Sequence, residues 1–406
     1  MGLKIGVLGA GLFSSSFIPL FMAHPHVEEV SLAEIVPERL DQVSKKFGIT
    51  RTFSSFEELC KSDVDAIAIF TQRHLHGPQT LQALRNGKHV YCAVPMAQSL
   101  EEIGEIIEQV KQSGLIYMTG ETSYYYPSTI YCRNRFEQGD FGAFVYGEAQ
   151  YIHDMSHGFY SAYQYSGGPD WKRVAGIPPM HYPTHSVSMI LSVTGAKAMK
   201  VSCMGYADTN EDGVFGKGNN NWDNPFSNET AMVRTSDGGV CRFNEFRRAG
   251  WKGKNSVYMS MFGTLGSYEE HANSQAWTTL SGELSDISDL LVCEKPVLTK
   301  EDLNLHKDLK RDFYTSMSKV HPFSRLPSEY IGKPNGHWGS HQFLADDFVK
   351  SVVTRKLPPN HVWDAAKYCA PGLIAHESAL RDGEMMDIPD FGDAPANWER
   401  LDPASL

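Results

Sequence analysis

The chain has 406 residues, more than a single hydrophobic core usually organises, so its length predicts two domains. Its formal net charge is −11 and no basic block occurs, which excludes nucleic acid and an anionic membrane as main partners, because both need clustered Lys and Arg. No apolar run is long enough to span a bilayer, and no signal-like stretch precedes the first strand pattern, so we expect a cytoplasmic protein. The seven scattered cysteines, without a Cys-x-x-Cys pair, favour free thiols.

The first 120 residues alternate strand and helix patterns. Strand-like apolar runs occur at 4–8, 29–35, 66–70, 89–94 and 115–119. Helical patterns fall near 16–23, 37–47, 55–61, 77–86 and 99–113. This alternation predicts a doubly wound parallel Rossmann sheet, whose ligand crevice lies at the carboxyl ends of its strands.

After Tyr126-Pro127 longer strands with few helices follow. Strands are predicted at 143–152, 197–206, 229–236, 239–247 and 256–263, and helices at 128–138, 341–354 and 362–380. Residues 207–228 are polar and predict an exposed loop, and 275–335 look irregular apart from a charged helical piece near 300–318. The predicted fold is α/β, and it has a large, mostly antiparallel open sheet covered by helices on one face in its second domain. Its parts are an NAD-binding domain at 1–122, a substrate-binding and oligomerisation domain at 123–384, and an extended tail at 385–406.

A glycine turn follows the first strand and opens a helix. The sequence is Gly9-Ala10-Gly11-Leu12-Phe13-Ser14, in which the glycines allow a tight turn and close backbone approach to a pyrophosphate. Glu34 lies 23 residues past Gly11, where a carboxylate can bind ribose hydroxyls and would repel a 2′-phosphate. The pattern predicts NAD as the cofactor, with Gly9, Gly11, Leu12, Phe13 and Glu34 as contacts. The alternatives are a plain glycine turn and a solvated carboxylate at a strand end.

Two further motifs in the first domain resemble the Gfo/Idh/MocA oxidoreductases. These enzymes show Thr-x-x-His-x-His, Gly-Lys-His-Val and Glu-Lys-Pro. The corresponding segments here are Thr71-Gln72-Arg73-His74-Leu75-His76, Gly87-Lys88-His89-Val90 and Ala93-Val94-Pro95. The resemblance implies that Thr71, His74, His76, Val94 and Pro95 adjoin the cofactor. Val94 replaces a lysine that usually polarises the substrate hydroxyl, which argues against an ordinary dehydrogenase mechanism.

Glycoside hydrolase family 109, a branch of that superfamily, also has Val-Pro in place of Lys-Pro, so Val94-Pro95 resembles this branch. Four further segments resemble this branch. They are Glu121-Thr122-Ser123-Tyr124-Tyr125, Gly147-Glu148-Ala149-Gln150-Tyr151-Ile152-His153-Asp154, Tyr182-Pro183-Thr184-His185 and Gly336-His337-Trp338-Gly339-Ser340-His341. A fifth segment, Val362-Trp363-Asp364-Ala365-Ala366, also resembles the branch. His181, just before the third segment, and Arg247-Arg248 depart from the branch, which leaves the sugar open.

The resemblance implies a reaction in which NAD+ transiently oxidises the sugar 3-hydroxyl, the aglycone is eliminated, and water adds. Such chemistry needs a base, a group that abstracts a carbon-bound proton, and an acid at the leaving oxygen. His185, Tyr151 and Glu121 are the candidate catalytic residues. The alternatives are a histidine that packs at a helix start, a core tyrosine and a capping carboxylate. Their division of acid and base roles stays open.

Substrate contacts are predicted for aromatic, histidine and arginine side chains near these motifs. The candidates are Tyr125, His153, Trp171, His181, Tyr182 and Arg247. Ordinary packing is the alternative for the aromatic residues. His181 and His185 stand at metal-ligand spacing, but Pro183 lies between them and no Glu follows His181, so we predict no metal site.

The sequence thus favours an NAD-dependent, redox-neutral glycosidase with a carbohydrate substrate. A conventional NAD-dependent sugar or polyol dehydrogenase is the second interpretation, and a non-catalytic NAD or sugar sensor is the third. The apolar strands at 229–263 predict a homo-oligomer, either dimer or tetramer.

Overall fold

The computed structural model describes residues 2–251, 255–293, 317–333 and 335–402. Residues 300–316 of the helical piece predicted near 300–318 lie outside this part of the chain. The elements up to residue 119 alternate. They are β1 (Leu3–Leu8), α1 (Ser14–Ala23), β2 (Val27–Ala33), α2 (Pro37–Phe47), β3 (Thr52–Phe53), α3 (Phe56–Lys61), β4 (Ala66–Ile69), α4 (His76–Arg85), β5 (His89–Cys92), α5 (Leu100–Ser113) and β6 (Tyr117–Thr119).

These strands form one parallel sheet in the order β3-β2-β1-β4-β5-β6. All four residues of β4 are buried, as expected for a central parallel strand covered on both faces. Helix α5 shows how the crossover helices form: Ser99 caps its first turn by accepting from Glu102 N, and Gly114 ends it in the left-handed conformation. The predicted Rossmann sheet is confirmed, and only the two-residue β3 was not predicted.

The second part of the chain is built mainly from long strands. Its elements are α6 (Pro127–Glu137), β7 (Phe144–Ile152), α7 (Phe159–Gly167), α8 (Trp171–Ala175), α9 (Thr184–Thr194), β8 (Ala198–Ala207), β9 (Phe226–Thr235), β10 (Val240–Phe246), β11 (Val257–Gly263), β12 (Gly266–Glu270), β13 (Gln275–Thr279), β14 (Leu284–Asp286), α10 (Ser288–Leu291), α11 (Ser340–Thr354), α12 (Val362–Leu380) and β15 (Met386–Asp387).

The described strands of this part form a nine-stranded sheet in the order β14-β13-β12-β11-β7-β10-β9-β8-β15. Every neighbouring pair is antiparallel except β7 and β10. Helices α6, α9 and α12 pack on one face. The other face is open and carries exposed apolar side chains, which are Met204, Tyr206, Met232 and Val240. The predicted mostly antiparallel open sheet is confirmed.

Two local predictions were wrong. Residues 275–279 and 284–286 were expected to be irregular, but they form β13 and β14, which extend the edge of the sheet. Residues 207–228 were expected to be an exposed loop, yet Val214, Phe215 and Asn220 are buried. The polar composition misled because the Asn220 side chain satisfies buried backbone, its amide donating to Val214 O at 3.0 Å and to Asn224 O at 3.0 Å.

The chain returns to the first domain near its end. Helix α11 packs against α1 and the parallel sheet, with the ring of Phe348 5.6 Å from that of Tyr91 and 6.4 Å from that of Phe21. Residues of α11 therefore belong to the same hydrophobic cluster as β1 and α1. Among the helices of the described residues, none is long and apolar enough to cross a membrane.

Candidate active site

The glycine turn after β1 is shaped by close contact with β4. Gly9 has φ +97°, and a Cβ there would lie 3.1 Å from Phe70 O, so only glycine fits without strain. Gly11 instead faces open space, since a Cβ would meet no atom within 4 Å. The Ser14 hydroxyl donates to Gly11 O at 2.9 Å and fixes the turn as α1 begins. The turn therefore leaves room for a phosphate group at the amino end of α1.

Glu34 lies beside this turn. Its carboxylate accepts from Ala10 N at 2.9 Å and from Val36 N at 3.0 Å, so the side chain stands at the carboxyl end of β2, next to the glycine turn. Two of the most exposed large apolar side chains flank it: Leu12 is 71% exposed and Ile35 is 77% exposed. Such exposure in a crevice is typical of surfaces that pack against a planar ligand ring. The turn, the carboxylate and the apolar rim fit the phosphates, ribose and adenine of NAD.

The His-x-His motif ties two loops of the cofactor crevice together. The buried His76 ring has Nδ1 2.8 Å from Pro95 O and Nε2 3.1 Å from Thr71 O, and in its neutral form it donates to one of these two carbonyls. Burial lowers the pKa of His76 to about 4, against the raising effect of both carbonyls. The side chain is therefore neutral near pH 7 and positions the Val94-Pro95 segment. Val94 is buried, and its aliphatic side chain provides no charge at this position. His74 faces Trp222, with ring centroids 6.4 Å apart.

Helix α7 reaches from the second part of the chain to the glycine turn. The Gln72 amide donates to Ser166 O at 2.9 Å, and the Arg39 guanidinium donates to Tyr165 O and lies 4.5 Å from the Tyr165 ring. The Tyr165 hydroxyl also lies 3.5 Å from Ala10 O. The crevice is thus bordered by both parts of the chain.

Glu121 and His185 form a buried pair between the two sheets. Glu121 follows β6, and His185 lies in the first turn of α9, with Nδ1 2.6 Å from Glu121 Oε1. Burial alone would raise the pKa of Glu121, but the neighbouring imidazole and the hydrogen bonds from Ser123 hold it below its ordinary value. The carboxylate is therefore ionised, and His185 Nδ1 donates to it.

Tyr182 completes this array. Its hydroxyl lies 3.2 Å from His185 Nε2. Because Nδ1 of a neutral His185 carries the proton, Nε2 is an acceptor and the Tyr182 hydroxyl donates to it. Arg73 lies over the Tyr182 ring, with its guanidinium carbon 4.3 Å from the centroid. The array Tyr182–His185–Glu121 can take up a proton at Nε2 and stabilise the resulting charge.

Tyr151 lies beside the array at the end of β7. Its ring centroid is 5.2 Å from that of His185 and 6.0 Å from that of Tyr182. The Tyr151 hydroxyl donates to His153 Nδ1 at 2.8 Å, because His153 Nε2 donates to His157 O at 2.9 Å. Burial raises the pKa of Tyr151, so its hydroxyl stays protonated near pH 7.

Arg247 is a second cation at this cluster. Its guanidinium carbon lies 4.7 Å from the Tyr151 ring centroid, and Nη2 donates to Glu245 Oε2 at 2.8 Å. Glu245 is fully buried and also accepts from the Ser186 hydroxyl at 2.6 Å. Burial raises its pKa to about 7, against the opposing effect of Arg247. Ser186 follows His185 in α9, so the hydrogen bond from Ser186 to Glu245 stabilises the first turn of that helix.

The structure thus brings together Glu121, Tyr151, His153, Tyr182, His185 and Arg247. It places three other candidate substrate contacts elsewhere. Tyr125 is buried and donates to Asp347, while Arg325 donates to it at 3.1 Å. His181 is hydrogen-bonded to the Gln98 side chain at 3.2 Å, and Trp171 packs against Tyr160. None of these contacts joins them to the Tyr182–His185–Glu121 array.

Arg73 is the member of the cluster that sequence reasoning missed. It lies inside the motif that begins at Thr71, but only the motif's shared positions were taken as candidates. The sequence feature that could have indicated it is an arginine in the loop directly after a central strand, where parallel sheets bind ligands. Within the described ranges no group of three or more His, Cys, Asp or Glu side chains could hold a metal ion.

Comparisons with known proteins identify a matching family, similar sequences and similar structures. Residues 3–121 match the Gfo/Idh/MocA family, an oxidoreductase family with an NAD-binding Rossmann fold. A glycosyl hydrolase family 109 protein of Streptomyces niveus is 24% identical over 99% of this chain and 79% of its own length. The trans-1,2-dihydrobenzene-1,2-diol dehydrogenase of Mus musculus is 28% identical over 50% of this chain and 60% of its own. The structure of levoglucosan dehydrogenase in complex with NADH has a TM-score of 0.72, 18% identity, and coverage of 96% and 100%, which shows the shared fold.

Residues 3–121 match an oxidoreductase family with an NAD-binding Rossmann fold, so the chain is an enzyme whose first domain binds NAD. The similarity to proteins named for glycoside hydrolase family 109 extends over nearly the whole chain. Both resemblances predicted from the motifs are confirmed.

Proposed function

We propose that the protein processes glycosides in a redox-neutral cycle, in which a sugar carbinol is oxidised transiently and reduced again before release. The observation that carries the proposal is the Tyr182–His185–Glu121 array beside a position, Val94, that lacks the usual lysine. A proton acceptor backed by a buried carboxylate can take the hydroxyl proton without a lysine to polarise it. The similarity to proteins of glycoside hydrolase family 109 supports the same interpretation.

Bound NAD+ would supply a hydride acceptor for the C3 carbon of the sugar and return the hydride at the end, so that the sum of the reaction is hydrolysis. The residues that would hold it are Gly11, Leu12, Phe13, Glu34 and Ile35. In the proposed cycle His185 Nε2 takes the proton of the 3-hydroxyl through Tyr182, and Glu121 stabilises the imidazolium. The C3 ketone then acidifies the hydrogen at C2, and the elimination breaks the C2–H and C1–O bonds, so that in sum the C2 proton is transferred to the departing aglycone oxygen.

Tyr151 is the proposed acid at the departing oxygen. Its hydroxyl is protonated near pH 7 and donates to His153 Nδ1 in this structure, so the O–H turns from His153 to the departing oxygen when the aglycone leaves. Arg73 and Arg247 provide positive charge on two sides of the tyrosine pair, where oxyanions form during the cycle. Water then adds to the unsaturated sugar, and the proton relay runs in reverse.

The test is to incubate the purified protein with p-nitrophenyl α- and β-glycosides and trace NAD+, and to follow nitrophenol and the NADH absorbance together. Nitrophenol release in large excess over NAD+, with no lasting NADH, is the expected result. A protein that releases nitrophenol only in step with NADH formation contradicts the redox-neutral cycle. The variant Tyr151→Phe serves as the inactive control, because it keeps the ring packing and removes the acid.

A conventional sugar dehydrogenase is the second candidate. The fold shared with levoglucosan dehydrogenase and the similarity to a diol dehydrogenase favour it. It predicts steady NADH accumulation with free polyols or levoglucosan and no released aglycone. A cytoplasmic location and assembly through the open sheet face stay predictions.

A further inference from the structure

Arg73 is a cation at the tyrosine cluster without a carboxylate beside it. The residue is half-buried in the turn after β4, and its guanidinium carbon lies 4.3 Å from the ring centroid of Tyr182 and 5.2 Å from that of Tyr163. The guanidinium donates to the Tyr163 hydroxyl and adjoins that of Tyr182. Among the described residues it forms no ion pair, so its immediate partners are neutral hydroxyls.

Two other arginines of the interior show the usual arrangement. Arg247 Nη2 lies 2.8 Å from Glu245 Oε2, and Arg325 Nη1 lies 2.9 Å from Asp346 Oδ2. A charge that is partly removed from water is costly unless an opposite charge compensates it. Arg73 therefore leaves a local surplus of positive charge in the cleft of a protein whose formal net charge is −11.

The carboxylates of the same cluster are held by other groups. Glu121 Oε1 lies 2.6 Å from His185 Nδ1, and Glu245 is paired with Arg247. Neither forms an ion pair with Arg73. The pyrophosphate of NAD is expected at the glycine turn, whereas the ring contacts of Arg73 are with the tyrosines of the cluster. The missing counter-charge is therefore expected from the substrate.

Tyr163 adds a second donor at this place. Its oxygen accepts from Arg73, and no acceptor for its own proton is found in the part of the chain that the structure describes. Tyr163 lies in α7, the helix that borders the cleft from the second part of the chain. A guanidinium carries more N–H donors than the two tyrosine oxygens occupy. The free N–H groups and the Tyr163 hydroxyl form a donor set that suits the oxygen atoms of an anion.

We propose that Arg73 and Tyr163 bind an oxyanion group of the substrate, so that the protein acts on a glycoside of an acidic sugar, one that bears a carboxylate or a sulfate. The proposal rests on the proposed function for the reaction and adds the class of its substrate. The Tyr182 ring lies between Arg73 and the proton acceptor, since its hydroxyl is 3.2 Å from His185 Nε2. The bound anion thus fixes the sugar relative to the nitrogen that takes the proton.

The experiment compares acidic and neutral substrates of the same configuration. The probes are p-nitrophenyl glucuronides and galacturonides, the 6-sulfated p-nitrophenyl glucosides and galactosides, and the neutral glucosides and galactosides, each as both anomers with trace NAD+. Nitrophenol and NADH are followed together. The wild type should show a kcat/KM at least about 100-fold higher for one acidic group than for its neutral counterpart. The group that is preferred distinguishes a carboxylate from a sulfate.

Three variants test the two donors. Arg73→Gln should lower the ratio of acidic to neutral kcat/KM at least about 30-fold, and Arg73→Lys, which keeps the charge and loses the planar fork, should lower it less. Tyr163→Phe should lower the ratio about 5- to 10-fold. Arg247→Gln is the matched control: because Glu245 already neutralises Arg247, this variant should leave the ratio within about threefold of the wild type, whatever its effect on kcat.

A wild type that prefers the neutral glycosides overturns the proposal. An equal loss for acidic and neutral substrates in Arg73→Gln also overturns it, because that marks a cation that acts only on charge developing during the reaction. A loss of NAD affinity in Arg73→Gln that accounts for the effect has the same consequence, since it identifies the pyrophosphate as the counter-ion.

If neither nitrophenol nor NADH forms with any compound, the proposed function fails by itself, and binding decides the anion site. The NAD-loaded protein is titrated calorimetrically with sodium glucuronate, glucose 6-sulfate and glucose. The wild type should bind one of the acidic sugars at least about 10-fold more tightly than glucose, and Arg73→Gln should remove the difference. Equal affinity for acidic and neutral sugars, or no binding of either acidic sugar, overturns the proposal.

Discussion

Glutamine at position 121 would keep the shape of a buried side chain and remove its charge. Glu121 Oε1 accepts from His185 Nδ1 at 2.6 Å and from Ser123 N at 2.8 Å. An amide nitrogen at the Oε1 position would face the N–H of Ser123, so the amide oxygen must occupy that position. Glu121→Gln therefore preserves the acceptor for His185 and the Nδ1–H tautomer. It removes the carboxylate charge and places an amide NH2 at the buried Oε2 position, and the Tm measurement reports the second effect.

The size of the effect follows from the short contact. Two unit charges about 4 Å apart interact by about 4 kcal/mol at an effective dielectric constant of about 20. The charge on His185 exists only after it has taken the proton, so most of this energy is lost from the transition state. Since about 1.4 kcal/mol corresponds to a tenfold change in rate, kcat should fall roughly 100- to 1000-fold.

The assay is steady-state turnover between about pH 5 and 9, with NAD affinity and Tm measured on the same samples. Glu229→Gln is the matched control, because Glu229 Oε1 lies 2.7 Å from His376 Nδ1 and both side chains are buried. This control should lose Tm like Glu121→Gln but keep kcat within about threefold of the wild type.

One result would refute the reasoning. If Glu121→Gln retains kcat within about threefold of the wild type, the carboxylate does not support proton transfer at His185. Glu121 would then serve the structure of the turn after β6, as its hydrogen bonds to Ser123 alone would allow.

Tyr182→Phe should lower kcat about 10- to 100-fold with unchanged NAD affinity, measured by turnover and by fluorescence titration, because it removes the donor to His185 Nε2. Glu34→Ala should weaken NAD and improve NADP binding, so that the ratio of their dissociation constants falls by at least about tenfold; an unchanged ratio would contradict a ribose contact. Burial lowers the pKa of His76 and His321 to about 4, so the unfolded chain binds more protons between pH 4 and the ordinary pKa near 6.5. Stability should therefore fall as the pH drops from about 6.5 toward 4, by up to about 3 kcal/mol for each histidine, in urea unfolding curves. A flat stability profile in that range would contradict the neutral, buried state of both rings.

The sequence could predict the parallel sheet because its strands are short buried runs punctuated by capped helices. Helix α5, for instance, has its Ser99 cap, its Gly114 end and buried residues at helical spacing. The segment 155–181 could not be read in this way. Its helices α7 and α8 are short and mostly exposed, and α7 accepts hydrogen bonds from Arg39 and Gln72, which are distant in sequence.

Glu121, Tyr151 and His185 could be proposed from the sequence because each stands near the end of a predicted element, beside a motif. Tyr125 shows the limit of that reasoning. It is adjacent to Tyr124 in a tyrosine run beside Glu121, but the turn after β6 directs its hydroxyl to Asp347 on α11 instead of the cleft. Which side of a turn a residue occupies depends on packing with α11, more than 200 positions later. No local pattern carries that information.

In the proposed cycle, two arginines from elsewhere in the fold supply the positive charge that Val94 cannot. Arg73 comes from the loop after β4, and Arg247 follows β10, so each sheet contributes one cation to the tyrosine cluster. A lysine would bring a point charge to one oxygen, whereas two guanidinium groups over the rings of Tyr182 and Tyr151 act on both hydroxyls. That distribution suits a cycle in which negative charge develops at more than one position of the sugar. It also makes the electrostatics of the site depend on both sheets being held together, which the buried Glu121–His185 pair does across their junction.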